Sequence, residues 1–115
     1  MIITIKRIYD KPEAKDGYRM LVDRIWPRGL TKDDAALDEW NKDIAPSTEL
    51  RKWYNHQPEL FASFSKRYKE EFCKKTDELK RIKSIASKQN LTLLYGAKDP
   101  HNQAAVLLDV LNQMH

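Results

Sequence analysis

An α/β fold is predicted by three observations in this 115-residue sequence. The first is the nearly unbroken apolar run LTLLY at 91–95, which suits a strand buried on both faces of a sheet. The second is the glycine-containing turn and amphipathic helix that follow this run, since strand, turn and helix make half of a βαβ unit. The third is the helical spacing of apolar residues between 60 and 86.

The first half of the chain is predicted to form short strands separated by loops. Residues 2–5 are apolar and β-branched, which favours a first strand, and residues 10–17 are a charged loop. Residues 18–26 are expected to form the second strand. Thr31, followed by an acidic residue three positions later, resembles a capping box and predicts a short helical turn. Residues 37–44 are expected to form a short extended segment.

The second half is predicted to be mainly helical. Ser47 is a good N-cap for a helix that runs to about residue 56. Residues 58–89 keep helical spacing, either as one long helix or as two with a start near Thr76. After the strand at 91–95, Asp99 is the expected N-cap of the last helix, with Pro100 at its first position.

The size and composition fit one domain that spans residues 1–115 and buries a core without disulfides or metal. The single cysteine, Cys73, excludes a disulfide framework and a multi-cysteine zinc site, and favours the reducing cytosol. No apolar run approaches the roughly 20 residues of a membrane helix, and the first ten residues are too charged for a signal peptide. We therefore expect a cytoplasmic protein with no membrane partner.

The net charge of +4 is concentrated in one segment. Residues 58–90 carry nine Lys/Arg and five Asp/Glu, whereas the remainder is nearly balanced. Such a segment is usually a solvated helix face, and no glycine-rich or arginine-rich arm accompanies it. The alternative hypothesis is a non-catalytic module that binds nucleic acid or a partner through the basic helical face of 66–88. Exposed aromatics at Trp40, Trp53 and Tyr54 would support a third hypothesis, a subunit that works only with a partner chain.

The carboxyl end of the second predicted strand, with the turn after it, carries the first group of candidate site residues. Ionisable Asp23 and Arg24 lie at the carboxyl end of this apolar strand, and ligands of open α/β sheets bind beyond such strand ends. Arg24 and Arg28 could grip a carboxylate or phosphate, while Pro27 and Gly29 would hold the path of the loop. The alternative is that both arginines pair with nearby carboxylates in a scaffold network.

The turn after LTLLY carries the second group. Gly96 would let a ligand approach the backbone, Lys98 adds a cation, and the start of the next helix offers free N–H groups. These features predict an anion cradle that includes Asn102. The alternative is an ordinary capped helix whose donors are already satisfied by Asp99.

Asp23 and His101 are the candidates for acid–base chemistry. No nucleophile stands out, because Cys73 lies in the predicted helical segment and is interpreted as a core or boundary residue.

Trp53 and His56 are expected at the rim of the site. The histidine spacing contains no helical pair of the zinc-protease kind, so we predict no metal. The residues leave the cofactor and the oligomeric state open.

Three stretches, DGYRMLVDRIWPRGL, LDEWNKDIAPSTELRKWYNH and LLYGAKDPHNQAAVLL, together resemble the domain-of-unknown-function family 488 (DUF488). The resemblance is nearest to the short, single-domain, YeaO-like bacterial branch and runs nearly end to end. It implies an α/β domain with a small, mainly parallel sheet of about three to four strands flanked by helices, Rossmann-like or rhodanese-like in outline. It implies no reaction, since the family has none assigned.

One departure from the family pattern bears on chemistry. The early Asp-Val-Arg-like turn of the family stands here as Val22-Asp23-Arg24, but Pro100-His101-Asn102 replaces its Cys-His-Arg-like triplet. The missing cysteine argues against thiol chemistry, including sulfur transfer of the rhodanese kind.

These features predict a polar crevice at the strand carboxyl ends that binds a small anionic or phosphorylated ligand. A nucleotide or a nucleic-acid end is among the candidates. If the protein is an enzyme, Asp23 or His101 would be the acid or base, and Arg24, Arg28 and Lys98 would stabilise negative charge.

Overall fold

The computed structural model describes residues 2–99 and 101–114. The strands of this part of the chain are β1 Ile3–Arg7, β2 Tyr18–Leu21, β3 Glu39–Trp40 and β4 Leu91–Tyr95. Its α-helices are α1 Lys32–Ala35, α2 Thr48–Tyr54, α3 Phe61–Phe72, α4 Thr76–Lys88 and α5 Gln103–Gln113. Short 3-10 turns lie at Ala14–Asp16 and Pro58–Leu60. None of the helices described is long and apolar enough to cross a membrane.

The four strands form one parallel sheet in the order β1-β4-β2-β3. The run LTLLY is therefore β4, which lies between β1 and β2, and its three leucines are fully buried. This confirms the predicted α/β fold with a small parallel sheet flanked by helices. Because all the strands run in the same direction, their carboxyl ends meet along one edge of the sheet, where α/β proteins commonly bind ligands.

The two faces of the sheet are covered differently. One face carries Met20, Leu91 and Leu93 and packs against buried residues of α2, α3, α4 and α5 in the main core. The other face carries Leu21 and Leu94 and packs in a smaller cluster with Ile8 and Ala35, from the connections before and after β2. The helices thus lie mainly on one side, and α1 with its flanking loops closes the other.

A buried ion pair ties the connection between β1 and β2 to α1. Arg19 Nη1 donates to Asp16 Oδ2 at 2.5 Å, and both side chains are about 5% exposed. The other guanidinium nitrogens of Arg19 donate to the carbonyls of Ala35 and Ala36. Burial acts to raise the pKa of Asp16, but hydrogen bonds from a backbone N–H, Lys6 and Arg19 outweigh it and hold the pKa below its usual value.

Two predicted strands are shorter in the structure. The strand expected over 18–26 ends at Leu21, because Val22 is the last residue whose N–H donates to β4 (3.0 Å to Leu94 O), and the chain then turns away. The extended segment expected over 37–44 contains only the two residues of β3. The hydrophobicity of these segments reflects burial in turns beyond the sheet as well as pairing within it.

The helical region at 58–89 contains two α-helices. Phe72 ends α3 and Thr76 begins α4, and Lys75 between them donates to the carbonyls of Asp43 and Ala45. These bonds anchor the break to the loop before α2. Cys73, expected at a core or boundary position, lies in this break and is exposed.

The cap predictions for the earlier helices are confirmed. Ser47 Oγ accepts from the Leu50 N–H at the start of α2, and Thr31 accepts from the Asp34 N–H at the start of α1. Ser47 Oγ also donates to Glu71 Oε2, so the same hydroxyl joins α2 to α3. Local capping chemistry and tertiary packing therefore agree at this position.

Candidate functional site

A pocket of about 550 Å³ lies at the carboxyl edge of the sheet, between the turns that follow β2 and β4. These are the two turns in which the sequence predicts a site. The predicted residues that line the pocket are Asp23, Arg24, Pro27, Arg28, His56, Gly96, Lys98, His101 and Asn102. The structure therefore places most of the candidate residues around one concave surface.

Two predicted site residues lie outside the pocket. Gly29 is exposed at a left-handed φ of 77°, where it serves the turn. Trp53 lies on the outer side of α2, with the Arg67 guanidinium 4.2 Å from its ring centre. The next residue of the helix, Tyr54, lines the pocket instead, because successive helical residues point in different directions.

The aromatic residues that would support a partner-dependent subunit are mostly covered. Tyr54 is buried, and half-buried Trp40 packs edge-on against Trp26 with ring centres 5.2 Å apart. Trp40 also donates its Nε1–H to the Asp23 carbonyl. Of the three aromatics, only Trp53 is exposed, with 36% of its surface accessible.

Burial divides the pocket into an inner wall and a mouth. The inner wall is formed by buried side chains, which are Pro27, Pro46, Tyr54, Phe64 and Asn102. The mouth is formed by exposed side chains, which are Tyr9, Ile25, Arg28, Arg51, His56, Lys98 and His101. Asp23 is intermediate in exposure. The wall is thus mostly apolar, and the mouth carries three cations.

Asp23 is a carboxyl group held by neutral donors. Its Oδ2 accepts the Gly96 N–H at 2.8 Å, and its Oδ1 accepts from the Gln103 side-chain amide. Burial raises the pKa of Asp23 to about 6, although both hydrogen bonds and the charge of Arg51 act in the opposite direction. A carboxyl group with a pKa near neutrality, at the edge of a pocket, can hold or release a proton under ordinary conditions.

We expect Asp23→Asn to raise the free energy of unfolding at pH 8 by about 2 kcal/mol. The folded state binds the Asp23 proton more tightly than the unfolded chain does. The stabilisation from that proton is therefore complete below about pH 4 and is lost as the pH rises through about 6. Asparagine keeps an acceptor for the Gly96 N–H and has no such titration.

Urea unfolding of the wild type and Asp23→Asn between pH 5 and pH 8 measures this effect. The difference in stability between the two proteins is expected to grow with pH in favour of the variant. A difference that stays constant over this range would contradict a raised pKa for Asp23.

The backbone N–H groups of the predicted anion cradle, at the turn after β4, donate to side chains of the protein itself. A methyl group at Gly96 would lie 3.0 Å from Asp23 Oδ2, so the anion that approaches this glycine is the Asp23 carboxylate. The N-cap of α5 is Asn102, not Asp99 as expected, because Asn102 Oδ1 accepts from the Ala104 and Ala105 N–H groups. The predicted position of Pro100 in this helix lies outside the described residues.

Asp99 binds its neighbour instead of capping the helix. Its Oδ1 accepts the His101 backbone N–H at 2.7 Å and lies 2.8 Å from His101 Nδ1. The hydrogen bond from the His101 backbone N–H lowers the pKa of Asp99 most, and the contact with the His101 imidazole lowers it further. Tyr54 donates to the His101 carbonyl and Phe61 packs against the imidazole edge, so the ring is held at the mouth.

The two predicted arginines have different surroundings. Arg24 donates from Nε to the Pro46 carbonyl at 2.8 Å and from Nη2 to the Ala45 carbonyl at 3.3 Å. Its guanidinium thus holds the loop before α2, which is a scaffold role with carbonyls in place of the expected carboxylates. Arg28 is exposed, and its side chain makes no hydrogen bond or salt bridge with the residues described.

Among the pocket residues that the sequence analysis missed, four have polar side chains. Arg51 and Tyr54 lie three positions apart on α2, so a helical face pointing to the site could have identified them. Gln103 begins α5 and reaches Asp23 across the pocket. Tyr9 lies on the turn after β1, where the strand-end rule applies as well as it does after β2 and β4.

The basic segment is partly engaged by the protein itself. Arg67 stacks on Trp53, Lys83 donates to the Leu111 carbonyl, and Arg81 pairs with Glu39 and Glu78. These contacts hold three of the cations against the protein, so they do not form a continuous basic surface for nucleic acid.

Across residues 2–99 and 101–114, no three His, Cys, Asp or Glu side chains come together in a group that could hold a metal ion.

Comparisons with known proteins extend over nearly the whole chain. A family model described as "Inactive DUF488-N3 subclade" matches residues 2–115. Uncharacterized protein YeaO of Escherichia coli is 51% identical over 115 residues, which is 99% of this chain and 100% of that protein. Uncharacterized protein Rv3073c of Mycobacterium tuberculosis is 40% identical over 111 residues, 96% of this chain and 93% of that protein. No solved structure matches, so the Rossmann-like or rhodanese-like outline stays a prediction.

Proposed function

The chain belongs to the DUF488 family, and from that premise we propose that its pocket binds a small organic anion. The observation that carries this proposal is the charge of the pocket mouth. Arg28, Arg51 and Lys98 come from three separate segments, are exposed, and form no salt bridge within the described part of the chain. Cations that converge on a concave surface attract anions and can bind a carboxylate or phosphate directly.

The carboxylates of the pocket do not cancel this charge. Two carboxyl groups, Asp23 and Asp99, line a pocket that also contains four Lys/Arg side chains. Asp99 is in contact with His101, and Asp23 lies further in, beside the Gly96 N–H. The outer part of the pocket therefore keeps an excess of positive charge at neutral pH.

The inner wall favours a ligand with an organic body over a bare inorganic ion. Tyr54 and Phe64 are almost fully buried and their rings stack with centres 4.3 Å apart. A volume of about 550 Å³ lies within the range of small-molecule sites. A phosphorylated or carboxylated molecule of nucleotide size would fill such a pocket with its body on the wall and its acid group at the mouth.

Binding without turnover is the form of the proposal that the observations favour. The family model carries the word "inactive" in its description, and the lone cysteine lies outside the pocket. Asp23 and His101, the sequence candidates for acid–base chemistry, would then hold the ligand by hydrogen bonds. The same two residues would supply an acid or a base if the protein does catalyse a reaction.

A thermal-shift screen of inorganic phosphate, nucleotides and small organic acids tests the proposal. At a hundred times its dissociation constant, a ligand is expected to stabilise the wild type by about 2.7 kcal/mol. The double variant Arg28→Ala/Arg51→Ala should lose most of this stabilisation. Both residues are exposed and neither side chain bonds to the described structure, so the fold of the variant is expected to persist.

The matched control is Lys74→Ala/Lys80→Ala, which removes the same charge from exposed positions on α4 and the turn before it. It should respond to the ligand as the wild type does. The proposal fails if no compound stabilises the wild type, or if the two double variants lose the response equally. An oligonucleotide whose binding is lost only in the control variant would favour the basic helical face instead.

A further inference from the structure

We infer that the pocket selects an anion whose far end carries two adjacent N–H donors, which bind the Asp23 carboxylate. Guanine and a guanidinium group both have this chemistry. The inference rests on the proposed function, since the acid group of the same ligand would lie against the cations at the mouth. It is carried by the contacts of Asp23, the residues that line the pocket around Gly96, and the exposed cations at the mouth of the pocket.

The Asp23 carboxylate has unused capacity to accept hydrogen bonds. A carboxylate offers about four lone-pair sites on its two oxygens. The protein donates one bond to each oxygen, from the Gly96 N–H and from the Gln103 amide. Within residues 2–99 and 101–114, no Lys, Arg or His forms a salt bridge with Asp23. One site therefore remains on each oxygen, and two adjacent N–H groups match this pair.

A proline and an aromatic residue line the pocket near Asp23 and Gly96. A methyl group at Gly96 would lie 3.0 Å from Asp23 Oδ2, 3.9 Å from the Pro27 Cβ and 4.0 Å from the Tyr9 Cε2. The Asp23 carboxylate thus lies where a side chain at Gly96 would be, and Pro27 and Tyr9, which also line the pocket, are near the same point. Planar heterocycles and guanidinium groups pack well against such side chains.

The charge of the ionised Asp23 carboxylate disfavours a simple anion in its immediate neighbourhood. Above about pH 6 this group carries a negative charge, which repels a second anion. The cations Arg28, Arg51 and Lys98 lie at the exposed mouth. A ligand that contacts both Asp23 and the cations at the mouth must present N–H donors to the first and an acid group to the second. Guanosine monophosphate (GMP) meets both conditions with a planar ring, and arginine meets them with a guanidinium.

Titration calorimetry at pH 7.5 with three related nucleotides tests the inference. GMP has two adjacent N–H donors, inosine monophosphate (IMP) lacks the exocyclic amine, and ribose 5-phosphate lacks the base. A hydrogen bond to a charged acceptor is expected to make GMP bind about tenfold tighter than IMP. In Asp23→Asn this preference should disappear, because one acceptor becomes a donor, whereas ribose 5-phosphate should bind the variant at least as well as it binds the wild type.

The outcomes separate the inference from the proposed function. If IMP and GMP bind equally to the wild type, and Arg28→Ala/Arg51→Ala weakens both, the anion site stands and the donor pair is wrong. If GMP, IMP, ribose 5-phosphate and L-arginine all fail to bind, both ideas are wrong. L-Arginine that binds in an Asp23-dependent way, with L-ornithine as the control that lacks the donor pair, would support the guanidinium form of the same recognition.

Discussion

Replacing Arg19 with methionine is expected to lower the free energy of unfolding by about 3–5 kcal/mol. The change leaves the Asp16 carboxylate buried without the guanidinium that lies 2.5 Å from it, and it leaves the carbonyls of Ala35 and Ala36 without their donors. Methionine fills a similar volume, so the loss reflects broken polar contacts and little cavity formation. Lys6 still donates to the Asp16 carboxylate in the variant, and this remaining bond limits the loss of stability.

Urea unfolding at pH 7 measures this loss, and Arg28→Met is the matched control. Arg28 is exposed and its side chain is free of hydrogen bonds within the described structure, so its replacement should change stability by less than about 0.5 kcal/mol. Equal effects of the two substitutions would show that the Asp16–Arg19 pair adds no more to stability than a surface charge does.

Gly17→Ala is expected to cost about 3 kcal/mol of stability. Gly17 has a left-handed φ of 66°, and an added methyl group would lie 2.2 Å from the Asn90 carbonyl oxygen. The same carbonyl accepts the Tyr18 N–H at the start of β2, so a shift that relieves the clash disturbs the pairing of β2 with β4. The cost combines the backbone conformation (φ 66°, ψ −128°), which is open mainly to glycine and costs another residue about 1–3 kcal/mol, with overpacking.

Gly29→Ala separates these two contributions. Gly29 also has a left-handed φ, of 77°, but an added methyl group would meet nothing within 4 Å. Its replacement should therefore cost only the backbone contribution, about 1–2 kcal/mol. Thermal or urea unfolding of both variants gives the comparison, and an equal loss would refute the clash at Asn90 as the larger contribution.

Predictions from the sequence were most accurate where the signal is local. Ser47 and Thr31 were identified as caps because a capping hydroxyl and the N–H that it binds lie three residues apart. The strand at 91–95 has its predicted bounds, since a short apolar run between two polar turns has few other conformations to adopt. The length of β2 was overestimated, because a strand ends where its partner's hydrogen bonds end, and the sequence of β2 does not contain its partner.

The choice of cap for α5 shows the same limit. Asp99 and Asn102 are both good capping residues, three positions apart, and the sequence favoured the first. In the structure Asp99 is bound to His101, and buried Asn102 caps the helix while its Nδ2 donates to the Asp99 carbonyl. The two residues are equally good local candidates, so only the tertiary structure distinguishes them.

The location of the pocket followed from the sequence by itself, together with the α/β class. Polar residues after two apolar strands predict a crevice at the sheet edge, because strand ends that meet at one edge bring their turns together. The chemistry inside the crevice required the tertiary structure. Only packing shows that Arg24 is bound to carbonyls, that Arg51 reaches the mouth from α2, and that burial raises the pKa of Asp23 to about 6. The sequence gives the type of each side chain. Its burial and its hydrogen-bond partners depend on segments that are distant in the chain, and they determine whether the group is charged and free to bind a ligand.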